Sequence, residues 1–426
     1  MLSAKLNSDV FFRKYGNIGF IYLQNTRQTV SIDTLGALFL SFLTREYQLL
    51  TDITPQLQKC FPDENAYQLE RTYREFVQNL AQHRLADVQG FDFHKPNACP
   101  AQYTLHKADI PQQARRQNWH QLLSLNIELN AGENCTQSLP WPIVQTLLEQ
   151  YRAMNGLHLV LSGTDPLLYP HLEKVLQLAR SYDFSVGIAF KLKVLDKNSL
   201  DLLKKYKVGY VQTSLYSLNP EEQQRITQEE NSCPQIKKAL KFLLIKGIPV
   251  RISCPVIKDN LSSCQEVVTW ARSNNMTVTL EPKITSGPEG LSVQELVQLA
   301  GLTEHLWGKD ILQILKLQPA NTLCGANRYS LKVSADGNYR VETGDKQVLG
   351  DIRKITLQEA WDSKAVRQLL ALPMKEYPQC MHCPAQSFCT GNTTGKTSLQ
   401  MCDFSRLTEY LHEKYQPESE IVAYEK

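Results

Sequence analysis

Nowhere in the 426 residues does an apolar run reach the roughly 18 residues that a membrane-spanning helix needs. Charge of one sign is missing as well: 46 basic residues stand against 43 acidic ones, a net +3. That balance gives no reason to expect nucleic acid or an anionic membrane surface as a partner. The opening MLSAKLNSDVFF has neither the basic start nor the apolar block of a secretory signal. The expectation is a cytoplasmic protein. Clustered cysteine is scarce too. Seven of the 11 cysteines (Cys60, Cys99, Cys135, Cys233, Cys254, Cys264, Cys324) are scattered, as ordinary thiols are in a reducing compartment. The other four crowd together after residue 379.

What is present begins with a small α+β pattern over 1–88, read as a winged-helix unit. In FFRKYGNIGFIYLQNTRQTVSI, Ile18, Phe20 and Tyr22 alternate between turns at Gly16-Asn17 and Asn25-Thr26, which predicts strands. DTLGALFLSFL then sets Leu35, Leu38, Phe39, Phe42 and Leu43 at helical spacing behind Asp33, a good N-cap. A short second helix is expected after Thr54-Pro55. A third carries Leu69, Tyr73, Phe76, Val77 and Leu80 on one face. Residues 89–118 show no sustained periodicity and read as linker.

From Leu123 the chain alternates strand and helix. Strands are expected at Leu123–Leu129, His158–Ser162, Ser185–Phe190, Tyr210–Ser214, Val250–Val256 and Thr277–Pro282. Helices are expected around Ile143–Met154, His171–Arg180, Leu200–Lys205, Ile236–Lys246 and Cys264–Ser273. Six such repeats over 119–318 predict an α/β fold, a parallel sheet curled into a partial (β/α)6 barrel with ligands at the C-terminal strand ends. Residues 319–410 are turn-rich and poor in long apolar runs, so a metal staple there has a physical purpose; 411–426 read as a tail.

The staple has its donors. Cys380-X2-Cys383-X5-Cys389, with Cys402 after twelve further residues, offers four thiolates. Such a set suits tetrahedral Zn²⁺ or a [4Fe–4S] cube, and spacing alone does not choose between them.

The tail resembles the SPASM domain of radical SAM peptide maturases. That family's frame has Cys, then Gly-X4-Cys, then Cys-X2-Cys-X5-Cys-X3-Cys and a last Cys; here Cys324 is followed by Gly337, with Glu342 and Thr393 at the second and sixth cysteine positions. The resemblance implies that Cys380, Cys383, Cys389 and Cys402 hold one auxiliary [4Fe–4S] cluster, with zinc as the fallback, while the companion site keeps only Cys324. HLVLSGTDPLLYPHLEKVLQLAR is similar to the family's second-strand segment, whose Gly-Gly-Glu-Pro turn contacts the amino group of S-adenosylmethionine. Gly163, Thr164, Asp165 and Pro166 stand at those positions. Their plain alternative is a strand-to-helix turn with no ligand. Radical SAM enzymes also carry Cys-X3-Cys-X2-Cys after the first barrel strand, leaving one iron open; LNIELNAGENCTQSLPW contains Cys135 alone. Against that pattern, no catalytic residue is assigned and cleavage of S-adenosylmethionine is not expected.

The front segment is similar in layout to PqqD-like peptide-recognition domains, which take a leader peptide as an added strand. The resemblance implies a groove lined by Gln28 and Val30 and by the helix bearing Leu69, Tyr73 and Phe76. A winged helix also suggests DNA binding, but residues 1–90 hold nine Lys/Arg and nine Asp/Glu, without the basic excess that phosphate contact requires. The leading expectation is a catalytically degenerate radical SAM/SPASM protein in the maturation of a ribosomally made peptide. It binds the precursor leader and presents it to a separate modifying enzyme. Maturation proteins paired with an ATP-grasp peptide ligase are one group that it resembles. The alternatives are a redox or electron-transfer enzyme using the remaining cluster, and a zinc-stapled interaction protein.

Overall fold

Two compact units divide the chain, Met1–Asp109 and Ile110–Lys426. The computed structural model describes residues 2–16, 18–24, 28–90, 105–107, 121–132, 135–192, 195–282, 291, 295, 298–299, 329–341 and 348–370. Among them no helix is long and apolar enough to cross a membrane.

The first unit runs β1 (Ser3–Leu6), β2 (Val10–Tyr15), β3 (Ile18–Leu23), β4 (Gln28–Ile32), α1 (Thr34–Leu40), β5 (Gln48–Leu49), α2 (Leu50–Cys60), α3 (Ala66–Gln82), β6 (Ala86–Gln89) and β7 (Leu105–Lys107). Two antiparallel sheets result, ordered β5-β1-β6 and β2-β3-β4-β7. Asp33 caps α1 as expected, its carboxylate accepting from Gly36 N–H at 2.8 Å. Asn65 does the same for α3 through Tyr67 and Gln68 N–H. The second helix starts earlier than expected, at Leu50, with Pro55 inside it. A proline there forfeits one backbone bond, but Leu50, Ile53 and Leu57 are all buried in the core, and tertiary packing outweighs the local penalty. The aromatic rings of Phe39, Tyr73 and Phe76 form the centre, with Phe39 edge-on to each of the other two at 5.5 Å. The stretch expected to be linker contributes β7. Three residues are too few for periodicity to reveal a strand, and its partner β4 is distant in sequence.

The second unit opens with β8 (Ser124–Ala131), β9 (Gln137–Ser138), α4 (Trp141–Ala153), β10 (His158–Gly163), α5 (Leu172–Ser181), β11 (Ser185–Ala189), α6 (Lys197–Lys205) and β12 (Tyr210–Ser214). It continues with α7 (Pro220–Thr227), α8 (Ser232–Ile245), β13 (Val250–Val256), α9 (Cys264–Ser273) and β14 (Thr277–Pro282). Then come β15 (Ser330–Val333), β16 (Asn338–Val341), β17 (Val348–Asp351), α10 (Leu357–Trp361) and α11 (Lys364–Leu370). The main sheet has the order β14-β13-β12-β11-β10-β8-β15-β16-β17. The strands from β8 to β14 along this path pair in parallel, as the alternating pattern predicts. β15 joins β8 in parallel, and β16 and β17 turn back antiparallel.

Alternation assigns the two faces of each strand. Leu125, Ile127 and Leu129 of β8 and Leu159 and Leu161 of β10 belong to the buried apolar core. The intervening Asn126, Glu128 and Asn130 line the other face, which is polar. At the N-terminal strand ends this face has a floor: His158 Nε2 lies 2.9 Å from Tyr210 Oη, the rings stack, and the Arg251 guanidinium sits over the Tyr210 ring at 4.8 Å. The contact reaches across β11 because Gly187 lies between; a Cβ there would meet the Tyr210 ring at 2.2 Å. In a parallel barrel this end serves stability, and chemistry belongs to the opposite end.

Candidate functional site

At the C-terminal strand ends, β8 and β10 part with a shift in register: Ser162 lies opposite Glu128, and Gly163 opposite Asn130. The shift turns Asn130, only 1% exposed, toward the 163–166 turn. Its side-chain amide then holds that turn from both sides. Asn130 Nδ2 donates to Asp165 O at 2.7 Å, and Asp165 N–H donates to Asn130 Oδ1 at 3.1 Å. Thr164 N–H donates to Asn130 O at 3.1 Å. Gly163 has φ +147°, and a Cβ there would lie 2.5 Å from both Asn130 O and Oδ1. Only glycine fits. Asp165 caps the short helical turn Pro166–Leu168, accepting from Leu167 N–H at 3.1 Å. Burial raises its carboxyl above the usual carboxylate range; the Leu167 bond opposes this, and the charge of Asp196 adds to it.

The loop after β8 folds straight back, with β9 pairing antiparallel to Asn130 and Ala131. Cys135 stands on it in a left-handed conformation, half-buried, its Sγ 4.0 Å from Asp165 O. Other loops at this end are tied by buried amides in the same way. Gln223 Oε1 accepts from Tyr216 and Ser217 N–H. Asn260 Nδ2 donates to Tyr216 O and Pro255 O, while its Oδ1 accepts from Ile257 N–H. On the open side of β8, Glu128 takes Lys332 Nζ at 3.1 Å and Ala335 N–H at 3.1 Å, joining β15 to the barrel.

The residues fit two cofactors unequally. At the turn, Asp165 Oδ1 accepts from Leu167 N–H and Asp165 O accepts from Asn130 Nδ2, one bond to each oxygen. For a cube with one open iron, the β8–β9 loop offers one thiol, Cys135, where three thiolates are required. The tail offers four thiolates, a donor set that suits a closed [4Fe–4S] cube or Zn²⁺. Cys380, Cys383, Cys389 and Cys402 lie outside the described residues.

The structure brings Gly163, Thr164, Asp165 and Pro166 together with Cys135 at the barrel mouth. Asn130, Gln223 and Asn260 were not singled out from sequence; for Asn130 the signal is the polar alternation in LNIELNA. In the first unit, Leu69, Tyr73 and Phe76 are buried in the core. None of the three presents its ring or branch to an open groove; on α3 the exposed aromatic is Tyr67, at 64%. Gln28 and Val30 lie on β4, opposite Leu23 and Ile21 of β3. On its other edge, β4 is paired: Val30, Ser31 and Ile32 face Lys107, His106 and Leu105 of β7.

Comparison with known proteins agrees with this architecture. The model of the SPASM family, an iron-sulfur cluster-binding domain, matches residues 324–384, a span that includes Cys324, Cys380 and Cys383. No curated protein matches the chain. Among solved structures, Streptococcus suis SuiB is similar, with TM-score 0.55 and 14% identity over 91% of this chain and 95% of SuiB. SuiB bound to its precursor peptide SuiA gives TM-score 0.56 and 13% identity over the same shares. The structure of anSMEcpe with bound AdoMet gives 0.52 and 14% over 69% of this chain and 96% of that one. The chain therefore has the α/β fold of the radical SAM enzymes, with a segment toward its C-terminus that matches the SPASM iron-sulfur cluster-binding domain.

Proposed function

We propose that this protein is a peptide-handling member of a ribosomal-peptide maturation system whose barrel no longer cleaves S-adenosylmethionine. The precursor leader docks on the first unit as an added strand, and a separate enzyme performs the modification. One observation carries the reading: where a radical SAM barrel needs three thiolates after its first strand, this loop offers Cys135 alone, beside a turn whose Asp165 main chain is bonded to the Asn130 side chain.

Cys380, Cys383, Cys389 and Cys402 hold one [4Fe–4S] cluster in this reading. Closed on four thiolates, such a cluster supplies a structural staple and a route for single electrons, without a vacant iron. The chain's other residues do the binding. SuiB has been solved with its precursor peptide, and peptide capture is the activity that this chain retains here. The expected location is the cytoplasm.

Iron and sulfide analysis of anaerobically purified protein tests the cluster. Four irons per chain, lost when Cys380 and Cys383 are both replaced by Ser, support it; stoichiometric zinc replaces it with a zinc staple. Incubation of the reduced protein with S-adenosylmethionine tests the barrel: sustained release of 5′-deoxyadenosine would falsify the loss of cleavage.

A further inference from the structure

The edge of β4 is already filled by a piece of the same chain. β7 pairs antiparallel with Val30–Ile32 and covers three of the five β4 residues. β7 lies at the end of its sheet, with β4 as its neighbour. An antiparallel pair exchanges two bonds at alternate residues, so three residues give only about two to four main-chain bonds. Residues 90–104 separate β7 from β6, and 108–123 separate it from β8. Each stretch can span up to about 50 Å when extended, long enough for β7 to leave the edge while β6 and β8 stay paired.

We propose that Leu105–Lys107 is an internal strap seated on the edge where an extended peptide docks, so that β7 and the peptide compete for the same β4 main-chain groups. This rests on the peptide-docking reading of the first unit and specifies the mode: a peptide strand antiparallel to β4, in β7's place. A tethered strand acts at an effective concentration in the millimolar range. An incoming peptide that pairs along Gln28–Ile32 gains the two positions, Gln28 and Thr29, beyond the β7 pairing. In the absence of a peptide, the strap also covers an edge that would otherwise template aggregation. The apparent affinity for the peptide is scaled by the fraction of molecules with the strap off.

The test uses the full chain and a fluorescein-labelled peptide AQYTLHKADIP, the chain's own residues 101–111, titrated by anisotropy. In one variant Leu105→Pro and His106→Pro are combined, so that a ladder donor is lost whichever of the two faces β4. In a second variant, residues 101–109 become Gly and Ser at equal length. Both variants are expected to bind the probe at least about tenfold more tightly than the parent chain, the ratio for a strap seated nine-tenths of the time. Equal affinity in all three proteins overturns the competition. Binding to none of them overturns the strap as a detachable strand. A leader peptide from a neighbouring gene is then added to the probe-bound variant. Displacement supports both readings; probe binding without displacement keeps the strap and removes the precursor assignment.

Discussion

The 163–166 turn at the barrel mouth and the β4 edge are both bonded within the chain, and by different means. At the mouth, one buried side chain, Asn130, exchanges bonds with the backbone of Asp165 and lies against Gly163. At the edge, three residues of main chain lie along β4. The first belongs to a packed interior, where parting Asn130 from Asp165 leaves buried groups unpaired. The second is the end strand of a sheet, drawn from the low-stability end of the structure. The first arrangement holds a turn in place, whereas the second covers an edge that the proposed strap can vacate.

Four variants sharpen or break this contrast, from largest to smallest. Gly163→Ala puts a methyl 2.5 Å from Asn130 O in a backbone region reserved for glycine; the expected loss is about 3 kcal/mol or more by chemical denaturation. A loss below about 1 kcal/mol would show that the turn shifts freely. Asn130→Ala strips the partners from Asp165 N–H and C=O and is expected to cost about 2–3 kcal/mol. By contrast, Leu105→Pro with His106→Pro should cost about 1.4 kcal/mol of the first unit's stability, the tenfold ratio of a strap seated nine-tenths of the time. A larger loss would make β7 a permanent strand.

The smallest effect is a gain, and it depends on pH. Asp165 has its folded pKa raised, first by burial and then by Asp196. Ionisation therefore opposes folding: the penalty is absent in acid below the ordinary carboxylate range and sets in as pH rises through that range to the raised folded value. Asp165→Asn retains an oxygen for Leu167 N–H. It should raise the melting temperature at neutral pH and leave it unchanged in strong acid. A gain of equal size at both pH values would assign the effect to something other than charge.

Much of the barrel was legible because its strands are apolar runs with β-branched residues, such as Val250–Val256, and the structure places that strand at the same residues. The Asp33 cap was readable for a local reason, since cap and acceptor are three residues apart. α7 was missed although Asn219-Pro220-Glu221-Glu222 is a sound helix start; its one buried residue is Gln223, so no apolar stripe marks it. The buried amides were illegible because their partners are remote: Asn130 reaches a residue 35 positions away and Asn260 one 44 positions away. The 163–166 turn was located through its family likeness, and its lock on Asn130 emerges only when β8 and β10 are side by side. β7 failed for the same reason at smaller scale.

The ion pair between Glu128 and Lys332 spans 204 positions of sequence, and β15 cannot lie beside β8 until that length has been made. At translation speeds of about 5–20 residues per second, the first barrel strand emerges some 10–40 s before its outer neighbour exists. A ribosome stalled in that interval leaves a half-built sheet with a bare flank, the kind of surface that chaperones recognise.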